Sequence, residues 1–391
     1  MEHPLNSGSP RIEVVDALRG FAVMAIMLLH NIEHFNFYSF PEASSAFMQA
    51  LDKSIWDTLF FLFGGKAYAI FALLFGFSFY IQMNNQEKKG KDFRLRFMWR
   101  QVLLFFIGCV NAAFFPGEIL VLYSLVGFVL VPFCKLKNKV VLAIAIFLMF
   151  QPLEWGKFFY ALFNSEYIRG EELWRIHAEK MYPFLAGSDF WSMVKSNLWD
   201  GQWFSILWAW DYGRICQTAS LFMLGMLIGR KGLFHSLKEH DRFWKSVLLF
   251  ALICFVPLYY MTNTIPGLWE NKMMSASMNT ILSSLRNFSF MAILVASFVY
   301  LWQWLPVYKV LCKLASYGKM SLTNYLTQSM IGSFIYYGYG LSLYDDLGIT
   351  VSFGVGIVLF LLQISFCHWW LRRYRQGPFE KMWRKATWVG V

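Results

Sequence analysis

Arg19 and His30, eleven residues apart, are the pair in this sequence whose types and spacing best suit chemistry. At about 100° per residue, eleven steps make ~1100°, three turns plus ~20°, so in a helix both lie on one stripe, ~16 Å apart along the axis. A guanidinium grips phosphate through its planar fork of donors, and a neutral imidazole is the form a general base needs. Asp16, three residues before Arg19, is placed to pair with it, and His34 lies one turn beyond His30. The same residues also read as a helix-end ion pair and a histidine bonded within a helix bundle.

Other polar groups sit in apolar surroundings, where an ionisable side chain costs roughly 2.5–3.5 kcal/mol and therefore asks for a reason. Ser321, Asn324 and Gln328 fall at i, i+3 and i+7 on one helix face, either lining a cavity or joining helices. Lys66 follows Gly64 and Gly65 and either binds an acid or snorkels to an interface. Glu118 opens an apolar stretch and is a candidate to orient His30. Asp211 and Arg214, at i and i+3, are expected to pair; Glu154 and Arg286 complete the charged set.

The elements that carry these groups are set by composition. Of 391 residues, 57% are hydrophobic and 15% charged, against about 25% charged in a soluble domain. The apolar residues come in blocks such as 14–29, 67–81 and 351–367, and a bilayer core of ~30 Å takes about 20 such residues per helix. The expected fold class is all-α, a polytopic membrane helix bundle of about ten transmembrane helices in one domain over 1–391. The approximate spans are 14–34, 56–83, 97–114, 118–134, 139–162, 207–229, 244–262, 276–304, 319–340 and 349–372. Residues 305–318 read as an inner, re-entrant connection. The segment 163–206 mixes Glu171, Glu172, Glu179 and Asp189 with Trp174, Trp191, Trp199 and Trp203. It reads as a part-helical element at the outer interface, or as a solvated loop.

The net charge of +11 does not indicate nucleic acid. Lys88, Lys89, Lys91, Arg94 and Arg96, then Lys135, Lys137 and Lys139, then Arg230 and Lys231, then a basic tail, follow alternate apolar segments, as the positive-inside rule requires. Both termini are expected in the cytoplasm. The first ten residues are polar, with Pro4 and Pro10, so no cleavable leader is expected. Six scattered cysteines form no CxxC pair, and neither a disulfide framework nor a metal site is expected.

The chain resembles the YeiB-like membrane proteins, a family labelled as a domain of unknown function. The likeness runs through Asp16-Ala17-Leu18-Arg19-Gly20, Gly65-Lys66-Ala67-Tyr68, Pro116-Gly117-Glu118, and Leu224-Gly225-Met226-Leu227. It continues through Gly318-Lys319-Met320-Ser321-Leu322-Thr323-Asn324-Tyr325, and ends at Gly377-Pro378-Phe379-Glu380 with Trp383-Arg384. Asn111 stands where the family pattern implies a histidine, and Glu118 where it implies an aspartate. The first span is also similar to that of the bacterial inner-membrane O-acyltransferases, with arginine, ten residues, then histidine. Its Asp-x-x-Arg-Gly element is similar to that of the lysosomal heparan-glucosaminide N-acetyltransferase. These resemblances imply acyl transfer from cytoplasmic acyl-CoA, an acetyl donor first, to a hydroxyl or amine beyond a bacterial inner membrane. His30 and Glu118 would be catalytic, Arg19, Ser321, Asn324 and Gln328 would hold the donor, and Lys66 and His34 the acceptor, an envelope glycan or small molecule. The bilayer is the expected partner, with a homodimer as an option and no nucleic acid. A small-solute transporter or exporter, with Arg19, Lys66 and Arg286 along its path, is the alternative.

Overall fold

The apolar blocks of the sequence fold as helices, and a computed structural model describes residues 12–43, 45–164, 170 and 172–389. Pro4, Pro10 and Glu171 lie outside these residues. In chain order the first helices are α1 (Glu13–Ile32), α2 (Ala46–Phe63), α3 (Ala67–Glu87) and α4 (Arg94–Ala112). Short α5 (Leu120–Gly127) and α6 (Leu130–Phe133) follow, then α7 (Asn138–Met149) and α8 (Pro152–Phe163), bent by 45°. Next come α9 (Leu173–Ala186), α10 (Phe190–Ser196) and α11 (Gln202–Asp211). The remainder is α12 (Arg214–Arg230), α13 (Asp241–Thr264), α14 (Lys272–Gln303), α15 (Leu305–Lys319), α16 (Ser321–Tyr336), α17 (Ile349–Leu371) and α18 (Pro378–Thr387). No strand occurs among the described residues.

Six helices are long and apolar enough to cross a membrane, or seven if the bent pair α7–α8 counts as one. The expected count of about ten is not reached on that criterion. The shortfall lies in α5–α6, interrupted after eight residues, in α12 with 17 residues, and in α16 with 16. The second expected span, 56–83, is two helices broken at Gly64–Lys66, where Gly65 takes φ +73°. The expected re-entrant connection over 305–318 is the helix α15, opened by Pro306 in its first turn, where a missing N–H costs nothing. The described residues of the segment 163–206 are largely helical, with Trp191 and Trp199 about two-thirds exposed, as suits tryptophan at a membrane–water boundary.

Burial identifies the lipid-facing and central helices. Only 11% of the apolar window in α13 and 17% of that in α17 is buried, against 78% in α1. Leu249, Phe250, Val358 and Leu362 point outward. Apolar faces of that extent would not stay in water, so α13 and α17 face the bilayer and α1 is the axial helix. The polar stripe of α1 therefore faces protein.

Two close crossings fix α1 and α3. A Cβ on Gly318 of α15 would lie 1.8 Å from the Asp16 carbonyl oxygen, and one on Gly225 of α12 would lie 1.9 Å from that of Leu73 on α3. Backbone cannot yield to such an overlap, which is why small residues stand where membrane helices touch. These glycines belong to the sequence elements Gly318-Lys319 and Leu224-Gly225, and their role is helix contact.

Candidate functional site

Two cavities lie end to end along α1, α3 and the start of α5. The first, of about 600 Å³, opens at the end of the bundle where the basic loops gather. Arg19, Arg100, Lys319 and Arg384 bring cations to its wall, Asp16 and Glu380 carboxylates, and Ser78 and Ser321 hydroxyls. Packing of α1 on α3 places Arg19, which donates to Asp16 Oδ1 at 3.1 Å and to Ser78 Oγ at 2.9 Å. Arg100 lies 3.5 Å over the Trp383 ring, which docks α18 beside the cavity.

Of the stripe expected to line this cavity, only Ser321 does so. Asn324 is buried and donates to the Tyr317 carbonyl at 2.9 Å, with the Cys367 thiol beside it. Gln328 is fully buried, and both its amide atoms lack a partner among the described residues. Both side chains are packed away because α16 turns that face toward its neighbouring helices, a choice that i, i+3, i+7 spacing cannot reveal.

Sequence reasoning gave Glu380 no role. α16 has no side-chain cap of its own at Met320, leaving the first N–H groups of a buried helix without partners. Glu380 supplies them: Oε1 accepts from the Leu322 N–H at 2.7 Å and the Thr323 N–H at 3.0 Å, and Oε2 from the Thr323 hydroxyl at 2.5 Å. A carboxylate at a helix N-terminus also meets the positive end of its dipole. Glu380→Ala should lower stability by about 0.5–2 kcal/mol, read as a lower melting temperature of the detergent-purified protein. A melting curve that superimposes on wild type would refute the capping role. The conspicuous Gly377-Pro378-Phe379-Glu380 element is the signal that pointed there.

The second cavity, of about 860 Å³, lies at the far end of α1. Its wall includes His30, Lys66, Glu118, Arg214 and Arg286, and α9 and α11 cover it with Trp174 and Trp208. The His30 ring packs against Phe115 at 4.6 Å and Phe35 at 5.7 Å, and its buried Nδ1 has no partner. Glu118 is buried and accepts from the Asn111 amide and the Leu120 N–H. No hydrogen bond joins Glu118 to His30; Asn111 is the side-chain partner of Glu118. Lys66 is 6% exposed and donates to the Phe60 carbonyl at 3.3 Å.

His34 does not face the chamber. It is fully buried, with Nε2 2.8 Å from Ser352 Oγ and its ring stacked 4.5 Å from Tyr336. The chain leaves helical geometry there (φ +48°), and that turn carries His34 off the His30 stripe. The expected Asp211–Arg214 ion pair is also not formed. Arg214 instead lies 4.5 Å from the Tyr68 ring and donates to Gln217 at 3.2 Å. Glu154 pairs with Lys157 at 2.7 Å, a structural bond.

An aromatic layer separates the cavities. Tyr123, fully buried, donates to the Tyr68 carbonyl at 2.7 Å and stacks with Phe71 at 6.0 Å. The Tyr325 hydroxyl accepts weakly from the Ile119 N–H at 3.4 Å. Phe71 and Tyr123 line the first cavity, while Tyr68 and Leu122, close by on the same helices, line the second.

Residues 228–390 match the family described as "Protein of unknown function (DUF418)". Similarity to individual proteins extends over almost the whole chain. The uncharacterized protein YxaH of Bacillus subtilis (strain 168) is 28% identical, over 97% of this chain and 94% of that one. An uncharacterized 39.9 kDa protein from the amylase 3' region of Bacillus acidopullulyticus is 24% identical, over 96% and 94%. The uncharacterized protein YeiB of Escherichia coli (strain K12) is 27% identical, over 95% of each chain. No solved structure matches. The DUF418 match contains Arg286, Ser321 and Glu380, whereas Arg19, His30, Lys66 and Glu118 lie before it.

Proposed function

From the similarity to YeiB that runs over almost the whole chain, and from the two cavities along α1, we propose that this protein is a transmembrane acyltransferase. Acyl-CoA, with acetyl as the first choice, is the donor, and a hydroxyl or amine beyond the membrane is the acceptor. The observation that carries this reading is the succession along α1: a cavity rich in cations at Arg19, an aromatic layer, then a chamber with His30 on its wall. The basic end is the cytoplasmic one by the positive-inside rule. Counting α5–α6, α12 and α16 as short, protein-enclosed crossings beside the seven brings the total to ten, with both termini inside.

In this scheme Arg19, Arg100, Lys319 and Arg384 hold the phosphates of the donor, and Ser321 adds a hydroxyl. Asn324 and Gln328 position α16 instead of touching the donor. The pantetheine arm passes between Tyr123, Phe71 and Tyr325, whose packing must part to admit it. The acceptor X–H attacks the thioester carbonyl carbon while the chamber-facing nitrogen of His30 takes its proton. The tetrahedral intermediate then breaks its C–S bond, and the leaving thiolate recovers that proton from the imidazolium. The products are the acylated acceptor and CoA thiol.

The two opposed cavities also suit alternating access by a small-solute transporter. Sealed vesicles with [1-14C]acetyl-CoA supplied only at the basic face distinguish the two. Acyl transfer releases free CoA on that side and places label on envelope material at the other. Label that stays on intact acetyl-CoA, without thiol release in the presence of envelope extract, would refute the acyltransferase reading.

A further inference from the structure

We propose that the far chamber binds the anionic group of a small hydroxylated molecule, a carboxylate or phosphate seated between Lys66, Arg214 and Arg286. As an identity for the acceptor this rests on the acyl-transfer reading; as a binding site it does not. Three cations reach one cavity wall from three separate places: the α2–α3 turn, the first residue of α12 and the middle of α14.

The turn is built to allow this approach. A Cβ on Gly65 would lie 2.6 Å from Asn287 Nδ2 and 3.3 Å from a terminal nitrogen of Arg214, so glycine is what lets α14 and Arg214 close over Lys66. Tyr68 and Trp208 hold the Arg214 guanidinium between their rings at 4.5 and 5.5 Å, and its buried Nε has no acceptor. Arg286 forms no ion pair or side-chain hydrogen bond among the described residues. Among the described residues Lys66 bonds only a backbone carbonyl and lies over the rings of Phe61 and Phe290.

The acids of the chamber do not neutralise this wall. Glu118 is held by Asn111 and the Leu120 N–H, and Glu33 accepts from the Tyr38 hydroxyl at 3.3 Å. Three like charges on one wall, Lys66 buried and Arg214 and Arg286 part-buried, with no ion-pair partner among the described residues, are unfavourable together, and an anion relieves their repulsion. The guanidinium groups offer the planar forks that carboxylate and phosphate fit. About 860 Å³ is within the range of small-molecule sites. The rings of Trp174, Trp208 and Tyr212 give flat apolar walls for the C–H faces of a sugar-sized ligand, and His30 opens on the same space.

The test is calorimetric titration of the purified full-length protein in detergent with D-glucuronate, glucose 6-phosphate and neutral glucose. At least one anion should bind, glucose at least tenfold more weakly, and binding should weaken as sodium chloride is raised. Arg286→Gln and Lys66→Gln should each reduce anion affinity at least tenfold, and Arg286→Lys should retain most of it, with melting curves reporting folding. Should Arg286→Gln fail to fold, Lys66→Gln and the salt dependence of wild type decide. Wild-type protein that binds an anion here but fails the acyl-transfer assay would overturn the acyl-transfer reading and leave this site standing. Equal binding of glucose and the anions, no binding of any probe, or unchanged affinity in folded Arg286→Gln and Lys66→Gln would overturn the site. Displacement of the soluble anions by phosphatidylglycerol at lower concentration would overturn the small-molecule assignment in favour of a lipid headgroup.

Discussion

His30→Ala should reduce acyl transfer by roughly 10²–10⁴-fold, the usual cost of removing a general base, while the protein stays folded and binds CoA. His30 contributes no hydrogen bond through Nδ1 and packs only against Phe35 and Phe115 on its buried side. Its removal leaves no buried polar group stranded, so the fold should tolerate it. His30→Gln keeps an amide in the chamber that cannot accept a proton at neutral pH, and should be nearly as inactive. The measurement is thiol release from acetyl-CoA, together with binding of CoA to the same preparation. Near wild-type release by His30→Ala would remove the histidine from the chemistry. Loss of CoA binding together with activity would show that the residue shapes the protein and not the reaction.

Arg19→Ala should act on donor binding. Hydrogen bonds to charged groups contribute about 1.5–3 kcal/mol, which corresponds to a KM for acyl-CoA raised roughly 10- to 100-fold with kcat much less affected. Arg19→Lys retains the charge but not the fork and should fall between. Arg19 also bonds Asp16 and Ser78, so part of the effect could reach the protein through α1–α3 packing. Asp16→Asn and Ser78→Ala test that route: each loosens Arg19 without removing its charge, and each should change KM less than Arg19→Ala does. An unchanged KM in folded Arg19→Ala would place the donor elsewhere.

The membrane class and the all-helical fold were legible in the sequence because they depend on composition and on order along the chain alone. Run length sets what can span lipid. The Arg19–His30 relation was legible for a similar reason, since the pitch of a single helix fixes the angle and rise between two of its residues. Periodicity says which residues share a face; it does not say what that face meets. Asn324 and Gln328 share a face with Ser321, yet that face is turned mostly into neighbouring helices. His34 is one helical turn from His30 by count, but the helix ends between them. The grouping of Lys66 with Arg214 and Arg286, and the capping of α16 by Glu380 from 58 residues away, depend on which helices become neighbours. That was decided by close crossings such as Gly318 on Asp16 and Gly225 on Leu73, which act between residues far apart in the chain and leave no periodic trace in it.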